Sequence, residues 1–289
     1  AFEKMLEIKG DSDHTKLIDM LTDLNDYSIG IEDVLKEHFD EENIVYWMAF
    51  QILMGNVDTQ NRNVYLYSPL NSDIWYFIAW DNDGCLMRPE YELRNFSDQN
   101  SWEKGISNYW GNILFQRCLK SRSFREKLND AILDLREYLN KDMLTSKIES
   151  YKNVLKPYLY LMPDAEYEPL TSEQYDQIAA SLPDEIEKNY QLYLESLETP
   201  MPFYIGVPTI DGDKLKFNWD VSYDLDAEDI TYSVEVAGDY LFRDVIYQNT
   251  TLTVPEAEMD LPKAGQYFVR VRATNTSGKT QDAFDYYVT

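Results

Sequence analysis

The amino-acid sequence predicts a multidomain α+β chain: a mainly helical first part carrying one small β-hairpin, followed by an all-β sandwich. Three observations support this. Apolar residues recur at spacings of three and four through most of the first two thirds, a proline-bearing stretch (ETPMPF, Glu198 to Phe203) closes that pattern, and strict alternation follows. A length of 289 residues suits two unequal units, because single domains usually run to roughly 100–200 residues. The expected bounds are 1–198 for the helical part, 199–204 for a linker and 205–289 for the sandwich.

From His14 to Asn25, residues Leu17, Ile18, Leu21 and Leu24 share one helix face. Ile31 to Phe39 repeats the pattern. Asp40-Glu41-Glu42 then supplies the acidic first turn of a longer helix through Ile44, Trp47, Phe50, Ile52 and Leu53, which Gly55-Asn56 stops. Beyond the stop, Val64 to Tyr67 and Ile74 to Trp80 read as two strands joined by a turn at Pro69 to Asn71. Helices resume near Ile113, with Leu114, Leu119, Phe124, Leu128, Ile132, Leu135 and Leu139 on a recurrent face. Leu144 to Leu155 and Pro183 to Leu197 add two more.

The remainder alternates at Lys214 to Trp219, Ile230 to Val236 and Gln266 to Ala273, with turn signals at Asp211-Gly212 and Ser277-Gly278. That pattern predicts a β-sandwich. The segment LPKAGQY at Leu261 to Tyr267, leading into VRVRATNTSG, resembles a fibronectin type III module of the immunoglobulin-like class. The resemblance makes Tyr267 the corner tyrosine and Trp219 the core tryptophan. It implies a spacer or docking unit without chemistry of its own, open to surface or carbohydrate-associated partners.

Charge narrows the function. Fifty-two acidic against 26 basic residues give a formal net of −26, divided as −18 over residues 1–203 and −8 over residues 204–289. So even an acidity opposes phosphate backbones and anionic lipid, and nucleic acid is excluded as an expected partner. Hydrophobic residues make up 44% of the chain, too many for a disordered acidic protein. No run reaches the ~18–20 apolar residues of a membrane helix. Cys85 and Cys118 are as readily free thiols as a pair. The start on Ala1, with no initiator Met and no signal region, reads as an interior cut of a longer parent.

The densest polar clusters are GNVDTQNRN at Gly55 to Asn63 and WDNDG at Trp80 to Gly84. An antiparallel pair sets the start of its first strand beside the end of its second, so Asp58, Asn63, Asp81 and Asp83 are expected to converge. Carboxylates with an amide oxygen suit a hard divalent cation, and in phosphoryl transfer one Asp orients the attacking hydroxyl while an Asn and a second Asp hold metal. The competing reading is an Asp-rich turn whose side chains only cap backbone. Other chemistries are weaker: His14 and His38 are isolated, no G-x-S-x-G elbow occurs, and Asp81 with Asp83 on one strand does not flank a scissile bond. Trp75, Tyr76, Phe77 and Trp80 read as core before sugar platform. Trp102, Tyr109 and Trp110, in an Asn- and Ser-rich stretch, read as a partly exposed binding loop.

The two clusters together resemble the core signature of the CotH (spore coat protein H) family of atypical protein kinases. Asn56, Asp58, Asn63, Tyr65, Leu66, Tyr67, Trp75, Trp80, Asp81 and Asp83 match its pattern. The resemblance spans residues 1–198 and implies the large lobe of a kinase. It makes Asp58 the catalytic-loop Asp, and Asn63, Asp81 and Asp83 the metal-holding residues. The implied cofactors are Mg²⁺ or Mn²⁺ and, in the parent, ATP. The implied acceptor is the Ser, Thr or Tyr hydroxyl of a protein, and the implied setting is the bacterial cell surface or the extracellular space. One element departs from the pattern: no Gly-rich loop and no room for a small sheet precede Asp11, so a nucleotide-covering lobe is expected outside this chain, which alone would be inactive. The alternative from another class is a non-catalytic extracellular scaffold or adhesion protein with a kinase-like interaction module.

Overall fold

The structure, a computed structural model, describes residues 13–60, 62–94, 100–285 and 287–288. It is α+β, with eight α-helices and antiparallel sheets among the described residues. The helices α1 (Thr15–Asn25), α2 (Ile31–His38) and α3 (Glu41–Leu53) lie where the periodicity predicts them. Asp40 starts α3 by accepting a hydrogen bond from the Asn43 amide at 2.9 Å. α3 is apolar almost all round and is the central helix. Ile44, Val45, Trp47, Met48, Ala49, Ile52 and Leu53 are buried, and the helix packs against α6 (Arg122–Tyr138), α8 (Ser172–Glu198) and the hairpin.

The hairpin pairs β1 (Tyr65–Tyr67) with β2 (Tyr76–Ile78) in the register Tyr65 to Ile78, Leu66 to Phe77 and Tyr67 to Tyr76. Both strands are shorter than expected. Trp75 leaves the ladder to bridge Phe39, and the Asn43 side chain takes over β2's outer edge, accepting from Phe77 N at 2.6 Å and donating to Phe77 O at 3.1 Å. An amide on α3 therefore acts as the missing strand and holds the hairpin to the core.

Ser121 divides the next helical stretch into α5 (Ile113–Lys120) and α6, capping α6 through its hydroxyl. α7 (Lys141–Leu159) extends beyond the Leu144–Leu155 expectation at both ends and has no buried residue.

 α7 starts at Lys141 because the Asn140 side chain caps it, accepting from the Met143 amide at 3.0 Å. α8 begins eleven residues before the expected Pro183. Its start is set by a capping box, in which the Thr171 hydroxyl accepts from Gln174 N and the Gln174 side chain accepts from Thr171 N, so Pro183 lies inside the helix. No helix among the described residues is long and apolar enough to cross a membrane.

The β part has two sheets. β3 (Thr209–Asp211), β4 (Lys214–Asn218) and β7 (Glu256–Asp260) form one, in the order β3-β4-β7. The other runs β10-β8-β5-β6, from β5 (Ile230–Ala237), β6 (Val245–Leu252), β8 (Phe268–Asn275) and β10 (Tyr287–Val288), with β9 (Thr280–Asp282) also paired to β8. Alternation turns Leu215, Phe217, Val234, Val236, Val269 and Val271 inward to one core, separate from the helical core that ends at Met201. Gly212 and Gly278, at φ of +63° and +79°, make the two predicted turns.

Candidate active site

The site is built where α3 ends. Gly55 takes a φ of +61°, and a Cβ there would lie 2.7 Å from Asn189 Nδ2, so only glycine fits. Asn189 in turn donates to Leu53 O at 2.8 Å, fastening the helix end to α8. The chain then enters a short 3-10 turn, Val57–Thr59, whose first amides are met by Asn56: its side chain accepts from Asp58 N at 3.2 Å.

A second loop comes in from β2. In the chain, Asn63 lies two residues before β1 and Asp81 three residues after β2. Asn63 and Asp81 both adopt left-handed backbone, at φ of 56° and 52°, which Asn and Asp tolerate better than other side chains. The two loops are joined by three amides. Asn82 Oδ1 accepts from Gln51 Nε2 at 3.1 Å and from Asn56 Nδ2 at 3.4 Å, while Asn56 Nδ2 also donates to Gln51 Oε1 at 3.0 Å. Gln51 and Asn56 are fully buried. A Cβ on Gly84 would stand 3.2 Å from Asn56 Oδ1 and 3.7 Å from Asp58 Oδ2, which places the Asp58 carboxylate directly against the Asp81 to Gly84 turn.

Asp58, Asp81 and Asp83 thus meet on the open side of this amide layer. The Asp83 charge is the main cause that raises the Asp81 carboxyl above the ordinary aspartate value, followed by partial desolvation, a hydrogen bond shared with Asp83 and the Asp58 charge. Arg62 Nε lies 3.6 Å from Asp58 Oδ1, but both groups are solvent-exposed and the pair contributes little. Among the described residues, no group of three or more Asp, Glu, His or Cys side chains is placed to hold a metal ion. The donor chemistry still fits a hard cation. Mg²⁺ takes one or two carboxylates and fills the rest of its shell with water and phosphate oxygen, and Asp81 and Asp83, with Asp58 within electrostatic reach, offer such an open set.

A family model described as CotH kinase protein matches residues 1–193. The chain belongs to this family. No curated protein matches it. The matched stretch takes in α3, the hairpin and the two site loops, and the β part lies beyond it.

Other candidates are placed elsewhere. His38 is buried and its Nε2 lies 2.8 Å from Asp23 Oδ2, a link between α2 and α1. His14 precedes α1 as its cap residue. The expected exposed loop of Trp102, Tyr109 and Trp110 is a correction: Tyr109 and Trp110 are buried, Tyr109 against Trp47 and Phe115, because the segment closes the bottom of the lobe. Phe77 is core while Trp80 is half exposed and packs on Tyr65. Cys85 and Cys118 are both free. Burial pushes the Cys85 thiol up to about 12, so it stays protonated beside the site and is no nucleophile.

Sequence reasoning missed Gln51, Asn82 and Arg88. Gln51 had a signal, a lone amide in the apolar run MAFQILM. Arg88 had none: it reaches buried Glu185 at 3.0 Å and Asn189 Oδ1 at 2.6 Å, pinning the chain after the Asp81 loop to α8.

Proposed function

We propose that this CotH kinase domain serves, within its parent protein, to transfer the γ-phosphoryl group of ATP to a Ser, Thr or Tyr hydroxyl of a protein acceptor, with Mg²⁺ or Mn²⁺. The observation that supports this most is the convergence of Asp58 with Asp81 and Asp83 on a rigid amide layer. Asp58, held by its own amide on Asn56 and half open to solvent, orients the acceptor hydroxyl and takes up its proton. Asp81 and Asp83 would hold the cation, with Asn63 as the amide oxygen donor. A bound cation supplies charge neutralisation at the phosphates. Gly84 lets the two loops approach closely enough for these roles, and Gly55 lets the end of α3 close on Asn189 of α8.

The β part is read as a fibronectin type III-like module. Tyr267 donates to Lys263 O at 2.9 Å, the hydrogen bond of a tyrosine corner, Trp219 is buried against Tyr232, and the strands divide between two sheets in the manner of an immunoglobulin-like sandwich. The even acidity and this module favour work outside the cell, at the bacterial surface, on protein or carbohydrate-associated partners.

Mn²⁺ titration followed by electron paramagnetic resonance tests the site. Binding is expected in the wild-type chain and lost in Asp81→Asn. Equal binding by both, or ATP-dependent phosphorylation that survives Asp58→Asn unchanged, refutes the assignment.

A further inference from the structure

We propose that the β-sandwich is a fixed brace on the loop that carries Asp58, with Asn108, Tyr109 and Asn112 as positioning residues between them. The proposal rests on the site reading above and adds to it a part of the chain that supplies no site residue.

The brace has two layers of contact. The inner layer joins the segment 105–112 to the loop. Asn108 Nδ2 donates to Val57 O at 3.4 Å, the Thr59 and Tyr109 hydroxyls are 3.1 Å apart, and Asn112 Nδ2 donates to Gln60 O at 3.2 Å. Three of the four residues from Val57 to Gln60 are therefore held from one side, and the fourth, Asp58, is left with its carboxylate free to face the Asp81 turn. Thr59, Asn108 and Tyr109 are buried, and the hydroxyl pair of Thr59 and Tyr109 is shielded from competing water.

The outer layer joins the sandwich to Ser101 and Trp102, just before that segment, and to Trp110 and Gly111 within it. Ser101 Oγ accepts from Gln281 Nε2 at 2.8 Å and from Asp282 N at 3.2 Å. Phe284 packs edge-on against Trp102 at 5.5 Å between ring centroids and against Tyr204 at 4.8 Å, and a Cβ on Gly111 would lie 3.1 Å from Tyr204 Oη. Trp110 and Tyr223 lie 5.4 Å apart, with Lys120 Nζ over both rings. Asn275 of β8 also caps α8, donating to Glu198 O at 3.0 Å.

A flexible spacer would not have this chemistry. Gln281 and Asn275 are buried polar side chains of the sandwich that each divide their donors between the two parts: Gln281 donates to Ser101 Oγ and to Asp282 O at 3.2 Å, Asn275 to Glu198 O and to Asp224 Oδ2 at 3.0 Å, and separation would cost each the bond to the helical part. The connecting residues Met201, Pro202 and Phe203 are buried as well, and Met201 N donates to Tyr223 O at 2.7 Å. The sandwich therefore docks on the segment that fixes the backbone of the site.

Amide hydrogen exchange on the whole chain tests this. Two variants are informative. Phe284→Ala removes the outer aromatic contact. Asn112→Asp keeps the side-chain oxygen that caps α5, which accepts from Leu114 N at 3.0 Å, but removes the donor to Gln60 O. Each is expected to speed exchange at Thr59 and Gln60 about fivefold to tenfold, the loss of roughly one hydrogen bond, while α3 and α6 amides are unchanged. Tyr267→Phe, which touches the sandwich corner alone, should leave Thr59 and Gln60 as they are. If Phe284→Ala loosens residues 101–112 but not Thr59 and Gln60, the brace is refuted. Should Phe284→Ala unfold the sandwich, exchange at Thr59 and Gln60 unchanged from wild type refutes it equally, and Asn112→Asp repeats the measurement with the sandwich intact. Exchange is read without metal or nucleotide, so a failure to bind Mn²⁺ would overturn the phosphoryl-transfer reading and leave the brace to be decided by exchange alone.

Discussion

The two halves of the site are opposites. Below lie Gln51, Asn56 and Asn82, neutral amides that hydrogen-bond to one another, two of them buried completely. Above lie Asp58, Asp81 and Asp83, exposed carboxylates whose charges oppose one another and raise Asp81. Amides can be buried at little net cost when each donor finds an acceptor, and they bring no charge with them. Carboxylates brought together cannot be satisfied by one another. The lower layer therefore contributes stability, and it holds the upper layer in an arrangement that the carboxylates would not adopt alone.

The largest expected effect breaks the upper layer. Asp81→Asn is expected to cut the proposed phosphotransfer by about a thousandfold, since a lost metal ligand removes several kcal/mol of charge stabilisation. It should also raise the urea midpoint of the metal-free protein, because a repelling charge is gone and Asn accepts the left-handed backbone at φ 52°. Gln51→Leu breaks the lower layer and should act in the opposite sense. It leaves the Asn82 and Asn56 amides short of a partner at a cost of about 1–3 kcal/mol, read as a lower urea midpoint. If both variants move the midpoint in the same direction, the division into a stabilising frame and a repelling face is wrong.

That division explains what the sequence made legible. Helix periodicity, the stop at Gly55-Asn56 and the alternation after Phe203 mark surfaces that face a core, and local spacing is enough to read them. The signature Asp residues were legible because their chemistry is carried by residue type. The amide layer was less so: Gln51 and Asn82 are 31 residues apart, and only the hairpin's register brings them within 3.1 Å. The start of α8 was misplaced because Pro183 outweighed a Thr171 and Gln174 capping box whose two bonds depend on backbone geometry. The burial of Tyr109 and Trp110 was hidden for a related reason. Their polar neighbours, Asn108 and Asn112, pair with the Asp58 loop some fifty residues away in place of water.

The smallest effect sharpens the contrast by comparing Asp81 with a carboxylate that has a donor. Ser121 donates to Glu32, and that hydrogen bond is the first cause that holds Glu32 below the ordinary glutamate value of 4.5, ahead of its own backbone amide. A carboxylate with a lowered folded value adds stability that is fully present above the unfolded value and is lost as pH falls through the folded one. Ser121→Ala removes that contribution together with the α6 cap, which accepts from Phe124 N at 3.2 Å. The expected loss near neutral pH is about 1 kcal/mol, mostly the cap, because Glu32 is exposed and solvent screens its share. Chemical denaturation from pH 7 down to about 3 should show the gap between wild type and variant narrowing only below the ordinary glutamate range, as Glu32 takes up its proton in the wild type. A gap that stays constant would mean that Ser121 acts through the cap alone, and that Glu32 gains nothing from its hydroxyl donor.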